Sequence, residues 1–484
     1  MGVSDDFRQV YVNGVKATRA KSTGPLPGAV ETTTGYTTTD TNMQNWGNKD
    51  KIEFVYHCQD WQVSRILVSN ISGTNVTMKE DGWSIAKSMT AVNKYNHRMI
   101  YMENAYELLD AEGEWYLNSS TDYLYYKPKS GENMSSATVE VPVVEKLVDI
   151  SGTSGTSYVA NIQFEGIMFK LTNWTHPTYY ALVGWQGTGY FDTMNDLNNR
   201  IWHAPEAAVS MGYARYIKVE RCSFNKLGAL GIRISDGTQN SRIRGCVFDG
   251  IAADGIYFFT TNRNESDGNK IVKYLTINNN YITNVGVDYK MASAVYGEAA
   301  QNVSITHNKI ENVPYDGIQL RAGCNSAANM RKAHDISYNH IKNSVNALGD
   351  GGAIYTNGEM YLDSTSSRST ITNNYIQGVG SGPWCNALYT DEGSSYWSVS
   401  NNVCDGITTR WIHIWKSTIH DEIVNGNYTN SGSIRNDGTN CTITNTTTYS
   451  GSNYPAGAQT IINSAGLESA YSDIQPTPTP THAE

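Results

Sequence analysis

The sequence predicts an all-β protein, a right-handed parallel β-helix (a solenoid) with an additional N-terminal β-rich domain. Three observations carry this. A short strand–turn–strand pattern returns again and again from residue 217 onward, and internal repeats of this kind mark a solenoid. The composition, with 32 Tyr, 43 Gly and only 17% charged residues, suits strands and tight turns far better than helices. No 3.6-residue apolar period is sustained between residues 217 and 430, so a helical repeat is ruled out. At 484 residues the chain is too long for one ordinary compact domain but suits an elongated repeat.

Residues 1–140 do not follow the repeat. Their strand-like runs are Gln9-Val-Tyr-Val-Asn-Gly14, Lys51-Ile-Glu-Phe-Val-Tyr56, Ser64-Arg-Ile-Leu-Val-Ser69, Glu114-Trp-Tyr-Leu117 and Asp122-Tyr-Leu-Tyr-Tyr-Lys-Pro128. They predict a sandwich-like β-rich domain packed on the solenoid. A short helix is expected near Ala105-Tyr-Glu-Leu-Leu109, with Asn104 as its cap.

The solenoid is read as residues 141–465, beginning with a coil at Asn161-Ile-Gln-Phe-Glu-Gly-Ile-Met-Phe169. The repeat itself shows in Ile217-Lys-Val-Glu-Arg-Cys-Ser-Phe224, Ile243-Arg-Gly-Cys-Val-Phe248, Ile277-Asn-Asn-Asn-Tyr-Ile282 and Ile371-Thr-Asn-Asn-Tyr-Ile376. Aligning the turn gives one column: Cys222, Cys246, Asn280, Asn308, Asn339, Asn374, Asn402 and Asn427, spaced 24 to 35 residues apart. A wandering period describes coils with loops of varying length. Stacked small polar residues predict an Asn ladder, each amide bonding to the coils on either side. Two residues on, Phe224, Phe248, Ile282, Ile310, Ile341 and Ile376 form an inward apolar stack.

The second strand of each coil places the candidate site. With Ile256, Val295, Ile318, Ile354, Leu388 and Ile412 inward, alternation turns the next residues outward: Tyr257, Tyr296, Gln319, Tyr355, Tyr389 and His413. Two further along come Phe259, Glu298, Arg321, Asn357, Asp391 and Trp415. Adjacent coils lie roughly 4.8 Å apart, so Asn357 and Trp415 flank a surface-facing Asp391. Aromatic rings beside acids, an amide and a guanidinium suit sugars, which offer an apolar ring face and hydroxyl edges. Candidate substrate contacts are Tyr355, Asn357, Tyr389, Trp415, Arg321 and Glu298, with Trp384 and His413 completing the set. The bland reading, a solvated β-helix face, also accommodates Tyr and Asn.

Three acids are candidates for catalysis. Asp391 and Glu392 end the strand Asn386-Ala-Leu-Tyr-Thr-Asp-Glu-Gly393; in a regular strand Glu392 faces inward, and only a bulge or strand end turns it out. Asp350 lies in Leu348-Gly-Asp-Gly-Gly-Ala353, one coil earlier. Asp-Gly is an ordinary turn signal, and Asp236, Asp254, Asp316, Asp405 and Asp437 read mostly as turns. The pattern leaves open which acid leads. His176, His203 and His413 lie among Trp174, Trp202 and Trp411 without metal-ligand spacing; each reads first as a surface or half-buried histidine. The seven cysteines include no Cys-x-x-Cys pair, which argues against structural zinc and a full disulfide framework. Cys222 and Cys246 are expected to be buried thiols.

The net charge of −10 argues against nucleic acid or an anionic membrane surface as partner, and no run of 18 apolar residues exists to span a bilayer. No signal-peptide pattern is present, and the reading is that an original leader has been removed. Residues 466–484, with Gln475-Pro-Thr-Pro-Thr-Pro-Thr481, are read as a Pro/Thr linker to a further module. Such tethers recur in secreted polysaccharide-degrading enzymes, so a secreted, extracellular protein is expected.

Several short motifs, in this order, resemble those of the β-helix glycoside hydrolases of family 141 and their relatives. They are Phe7-Arg-Gln-Val-Tyr-Val-Asn-Gly14, Ala17-Thr-Arg-Ala20, Glu114-Trp-Tyr-Leu117, Tyr125-Tyr-Lys-Pro128, Phe164-Glu-Gly166, Trp174, Gly349-Asp-Gly-Gly352 and Tyr389-Thr-Asp-Glu-Gly-Ser-Ser395. The resemblance spans the chain to about residue 430. It implies endo-xylanase or α-L-fucosidase activity, no metal or organic cofactor, and a catalytic pair of aspartates whose matching positions are Asp350 and Asp391. Relatives usually place coils before the Phe-Arg-Gln motif, where this chain starts. The function expected is therefore a secreted glycoside hydrolase acting on plant cell-wall polysaccharide, xylan first, by two carboxylates. An α-L-fucosidase, a β-helix polysaccharide lyase using Arg321 as base and a non-catalytic sugar-binding protein stand as alternatives.

Overall fold

A computed structural model describes residues 6–80, 82–85, 87, 98–191, 202–322, 333–360 and 368–475. The chain divides into two compact units, one of residues 1–146, 171–206 and 226–229, the other of 147–170, 207–225 and 230–484.

The second unit is the parallel β-helix. Among the described residues its strands form three parallel sheets of ten, thirteen and ten strands. The register matches the expected columns. Ile256 pairs with Val295, Val295 with Ile318, Ile318 with Ile354, Ile354 with Leu388 and Leu388 with Ile412. The apolar stack is also present: Phe224 and Phe248 lie 4.7 Å apart and 3° from parallel, and Phe248, Ile282, Ile310, Ile341 and Ile376 follow in register. Phe169 stacks on Phe224 at 4.9 Å, so the coil read at 161–169 belongs to the same column.

The ladder is complete from Asn280 to Asn427. Each Nδ2 donates to the next Oδ1: Asn280 to Asn308 at 2.9 Å, Asn308 to Asn339 at 2.9 Å and Asn339 to Asn374 at 3.0 Å. Asn374 to Asn402 and Asn402 to Asn427 follow at 2.9 Å each. Each Oδ1 also takes the backbone N–H of the preceding ladder residue, as from Asn339 N to Asn374 at 2.9 Å. The residue before each ladder position is left-handed: Asn279, Asn373 and Asn401 have φ of 57°, 57° and 55°. The repeated Asn-Asn pair thus has two jobs, because Asn tolerates that conformation better than most residues. Cys222 and Cys246 head the column as buried free thiols.

The other unit is β-rich. Its nine-stranded sheet includes Glu53–Gln59, Gln62–Ser72 and Arg98–Glu103, over a core with Phe54, Tyr56, Ile66, Trp83 and Tyr116. The family-like motifs at the start of the chain build this unit. Phe7 stacks on Trp115 at 5.5 Å. Arg8 grips Glu53 with two hydrogen bonds of 2.6 and 2.8 Å. Arg19 bonds Glu53 at 2.6 Å and Glu103 at 3.1 Å, and Arg65 pairs with Glu103. The guanidinium groups hold the Glu53 carboxyl far below the usual carboxylate range, against its full burial.

Three expectations are corrected here. Residues 171–206, expected in the solenoid, belong to the β-rich unit, because Leu182–Gly184 adds to its sheet, with Leu182 opposite Arg65. The helix near residue 105 is a 3₁₀ turn, Tyr106–Leu108, without a side-chain cap; Asn104 instead donates to the Lys51 carbonyl at 2.9 Å. The segment from residue 466 does not begin as a linker. An α-helix, Ala456–Ser464, packs on Tyr375 and Val403, and a 3₁₀ helix, Ser469–Ile474, follows. Gly466 N bonds the Tyr338 carbonyl at 2.7 Å, Glu468 takes Asn279 Nδ2 at 2.7 Å, and Asp473 pairs with Arg221 at 2.7 Å. The segment therefore runs back over earlier coils. The Pro/Thr run beyond Gln475 lies outside the described residues.

Candidate active site

The ten-stranded sheet containing Val295–Glu298, Ile318–Arg321, Asp350–Asn357, Trp384–Thr390 and Arg410–Ile414 brings the expected residues together. Glu298 is opposite Arg321, and Arg321 opposite Asn357. Asp391 continues that line, its N–H bonded to the Thr356 carbonyl at 2.7 Å.

The outward column, expected to face solvent, is buried instead. Tyr257, Tyr296, Gln319 and His413 are 0% exposed, Tyr355 1% and Tyr389 3%. They pack on one another: Tyr257 on Tyr296 at 4.3 Å, and Tyr389 on His413 at 4.7 Å. Coils one strand spacing apart are well set for ring stacking, so flat side chains in one column shield one another. Alternation fixed which side of the strand they occupy but not whether water reaches them.

Asp391 is partly buried just past the strand end. Its Oδ2 accepts the Tyr355 hydroxyl and its Oδ1 the Trp415 indole N–H, both at 2.5 Å. Burial pushes its carboxyl above the usual range, while these two hydrogen bonds pull the other way. Asp350 opens its strand rather than sitting in a turn, and is half-exposed. The Tyr389 hydroxyl hydrogen-bonds to it, and burial pushes that phenol strongly upward, helped by the charges of Asp391 and Asp350. Each aspartate thus holds one tyrosine of a neighbouring pair, since Tyr355 and Tyr389 meet edge to face at 5.2 Å.

Glu392 turns out of the sheet because the strand stops at Thr390 and Gly393 takes φ of +76°. It pairs with Lys416 at 2.5 Å, both side chains more than 40% exposed. Arg321 is buried at 8% exposure, and its Nε and Nη1 find no hydrogen-bond partner among the described residues. Glu298 pairs with Arg263 at 2.6 Å and takes the Tyr296 hydroxyl at 2.8 Å. Asn357 donates to the Glu392 carbonyl at 3.3 Å. Trp384 stacks on His413 at 5.3 Å. His176 and His203 pack on Tyr190 in the β-rich unit.

A further acid belongs to this group although its Asp-Gly pair reads as a turn. Asp316 is fully buried; its Oδ1 accepts the Gly352 N–H at 2.7 Å and its Oδ2 has no hydrogen-bond partner among the described residues. Asp254 bonds the Ser293 N–H in the same way at 2.7 Å, so the Asp-Gly signal does mark a turn. What separates Asp316 is its neighbours: burial, then the charges of Asp350 and Asp391, push its carboxyl well above the usual range. A side chain at Gly351 would place Cβ 2.5 Å from Asp316 Oδ1, so the first glycine after Asp350 is what admits this third acid. Aligning Asp316 with Gly352 across coils would have revealed it. Among the described residues no group of His, Cys, Asp and Glu could hold a metal ion.

Residues 2–129 match the family profile described as the GH141 insertion domain, and residues 192–271 match a right-handed β-helix region. A solved structure described as a glycoside hydrolase superposes with a TM-score of 0.75 at 24% identity, over 97% of this chain and 81% of its own. The surface adhesin PfbA of Streptococcus pneumoniae superposes at 0.40 and 14% identity, over 64% of this chain and 76% of its own. A PL6 family alginate lyase does so at 0.34 and 13%, over 62% and 38%. At that level neither bears on function. None of the curated proteins matches the chain. Together these matches define the class by fold: a right-handed parallel β-helix carrying a domain of the GH141 insertion type. The profile match at residues 2–129 falls on the part of the chain that carries the first of the family-141-like motifs.

Proposed function

We propose that this protein is a secreted glycoside hydrolase that cleaves plant cell-wall polysaccharide, xylan before others, with Asp391 and Asp350 as its two carboxyl groups. The observation that carries the reading is Asp391, a carboxyl of raised proton affinity gripped by Tyr355 and Trp415 beside the coil that bears Asp350. A general acid must hold its proton near working pH, and Asp391 has the environment for it. Asp350, half-exposed, is the partner that serves as nucleophile or base. Glu392 is an ion-paired surface group and takes no part in the proton transfer. Trp415 and Trp384 line the sugar path, while Asn357, Arg321, Glu298, Tyr355, Tyr389 and His413, all buried, support it from beneath.

The test is turnover on purified xylans, fucosides and pectins with products identified. On whichever substrate is cleaved, Asp391→Asn and Asp350→Asn each lower turnover by about 10²–10⁴-fold or more without changing melting temperature, while Glu392→Gln stays near wild type. Near-normal turnover in both aspartate variants would overturn the assignment. The same screen separates xylanase from α-L-fucosidase, and unsaturated products would mark a lyase.

A further inference from the structure

Trp384 sits beside Asp350, the two being partners in register. Two guanidinium groups flank its indole, Arg410 at 5.9 Å and Arg435 at 5.8 Å from the ring centroid. Arg435 is neutralised by Asp437 at 2.7 Å. Arg410 bonds only the Pro383 carbonyl, at 2.9 Å, and has no acidic partner among the described residues. His413, between Trp384 and Tyr389, is fully buried, with neither ring nitrogen hydrogen-bonded among the described residues. Burial and the two arginines depress its imidazole to about 3, so it adds no charge. The cluster therefore carries one uncompensated positive charge at the edge of a group of aspartates, in a chain of net charge −10.

A neutral sugar would gain little from such a charge. A carboxylate gains charge-assisted hydrogen bonds from a guanidinium, and the positive charge also offsets the repulsion it would meet from Asp350 and Asp391. From this juxtaposition we infer that Trp384, Arg410 and Arg435 form a subsite for a uronic-acid unit or branch of the polysaccharide, next to Asp350. This rests on the hydrolase reading and narrows its substrate to acidic glycans.

The experiment compares uronic-acid-bearing xylo-oligosaccharides with the same compounds after reduction of their carboxyl groups to alcohols. Wild type is expected to prefer the acidic form in kcat/KM, with the preference shrinking as salt rises. Arg410→Gln is expected to lose about tenfold on the acidic form, the size of one charge-assisted bond, and at least several-fold less on the reduced form. Equal losses on both forms, or no preference in wild type, would overturn the subsite and leave the hydrolase reading intact. If no glycan is cleaved at all, the hydrolase reading fails. Calorimetric binding of the same two oligosaccharides to wild type and Arg410→Gln then decides the subsite: tighter binding of the acidic form, lost in the variant, supports it, and anything else refutes it.

Discussion

At the residue scale the protein keeps several carboxyl groups away from their ordinary proton affinities, each for a visible reason. Asp391 is raised by burial, so its protonated fraction survives to higher pH than a free aspartate's. If it is the acid, kcat/KM falls as pH climbs through that raised value, and a pH–rate profile should show the alkaline limb. Glu422 is a second case with a different readout. It is fully buried, takes the Thr390 hydroxyl at 3.0 Å, and burial raises it to about 8. A carboxyl raised in the folded state contributes stability below its unfolded value, near 4.5, and loses it as pH rises towards the folded value. Wild type should therefore lose up to a few kcal/mol between pH about 5 and about 8 from this group. Glu422→Gln should flatten that part of the stability–pH curve in urea titrations; an unchanged slope would show that Glu422 does not carry it.

At the element scale, the ladder and the ion network are the two devices that cannot be trimmed. Asn374 is fully buried, and its amide gives or takes hydrogen bonds on the coils either side. Asn374→Leu leaves those groups unpaired at roughly 1–3 kcal/mol each, so a marked drop in melting temperature is expected, and none would refute the ladder's structural weight. In the β-rich unit, Glu53 faces Arg8, Arg19 and Arg65. Glu53→Gln leaves three buried guanidinium groups with Glu103 as their one remaining acidic partner among the described residues and should destabilise by roughly 3–5 kcal/mol, measured as a shift in the denaturation midpoint. That cost explains why Phe-Arg-Gln and Ala-Thr-Arg-Ala read as motifs although they lie outside the candidate site's sheet: they build a unit.

At the scale of the whole molecule, the C-terminal segment ties distant coils together. Ending the chain after Ala465 removes the bonds of Gly466 to Tyr338 and of Glu468 to Asn279, at roughly 1 kcal/mol each, and a lower melting temperature is expected. Ending it after Gln475 should change neither stability nor activity, because a Pro/Thr-rich sequence offers too few apolar side chains to build a core; the pair of truncations, compared by calorimetry, separates strap from tail.

The sequence by itself determined the solenoid, its register, the ladder and the line from Glu298 through Asn357 to Asp391. These depend on a side-chain period of two and on stacking of like residues, which a single chain displays openly. Other features were settled only by tertiary structure. Whether Tyr355 and Tyr389 meet water depends on what packs over them, and Asp316 joins Asp350 and Asp391 through a gap left by Gly351, not through any spacing along the chain. Leu182 and Val183 pair with a strand more than a hundred residues earlier, and the segment after Ala465 finds its partners on coils formed far before it. Local pattern records the period of a coil, whereas burial, charge coupling and long-range pairing arise from which surfaces meet once the coils have stacked.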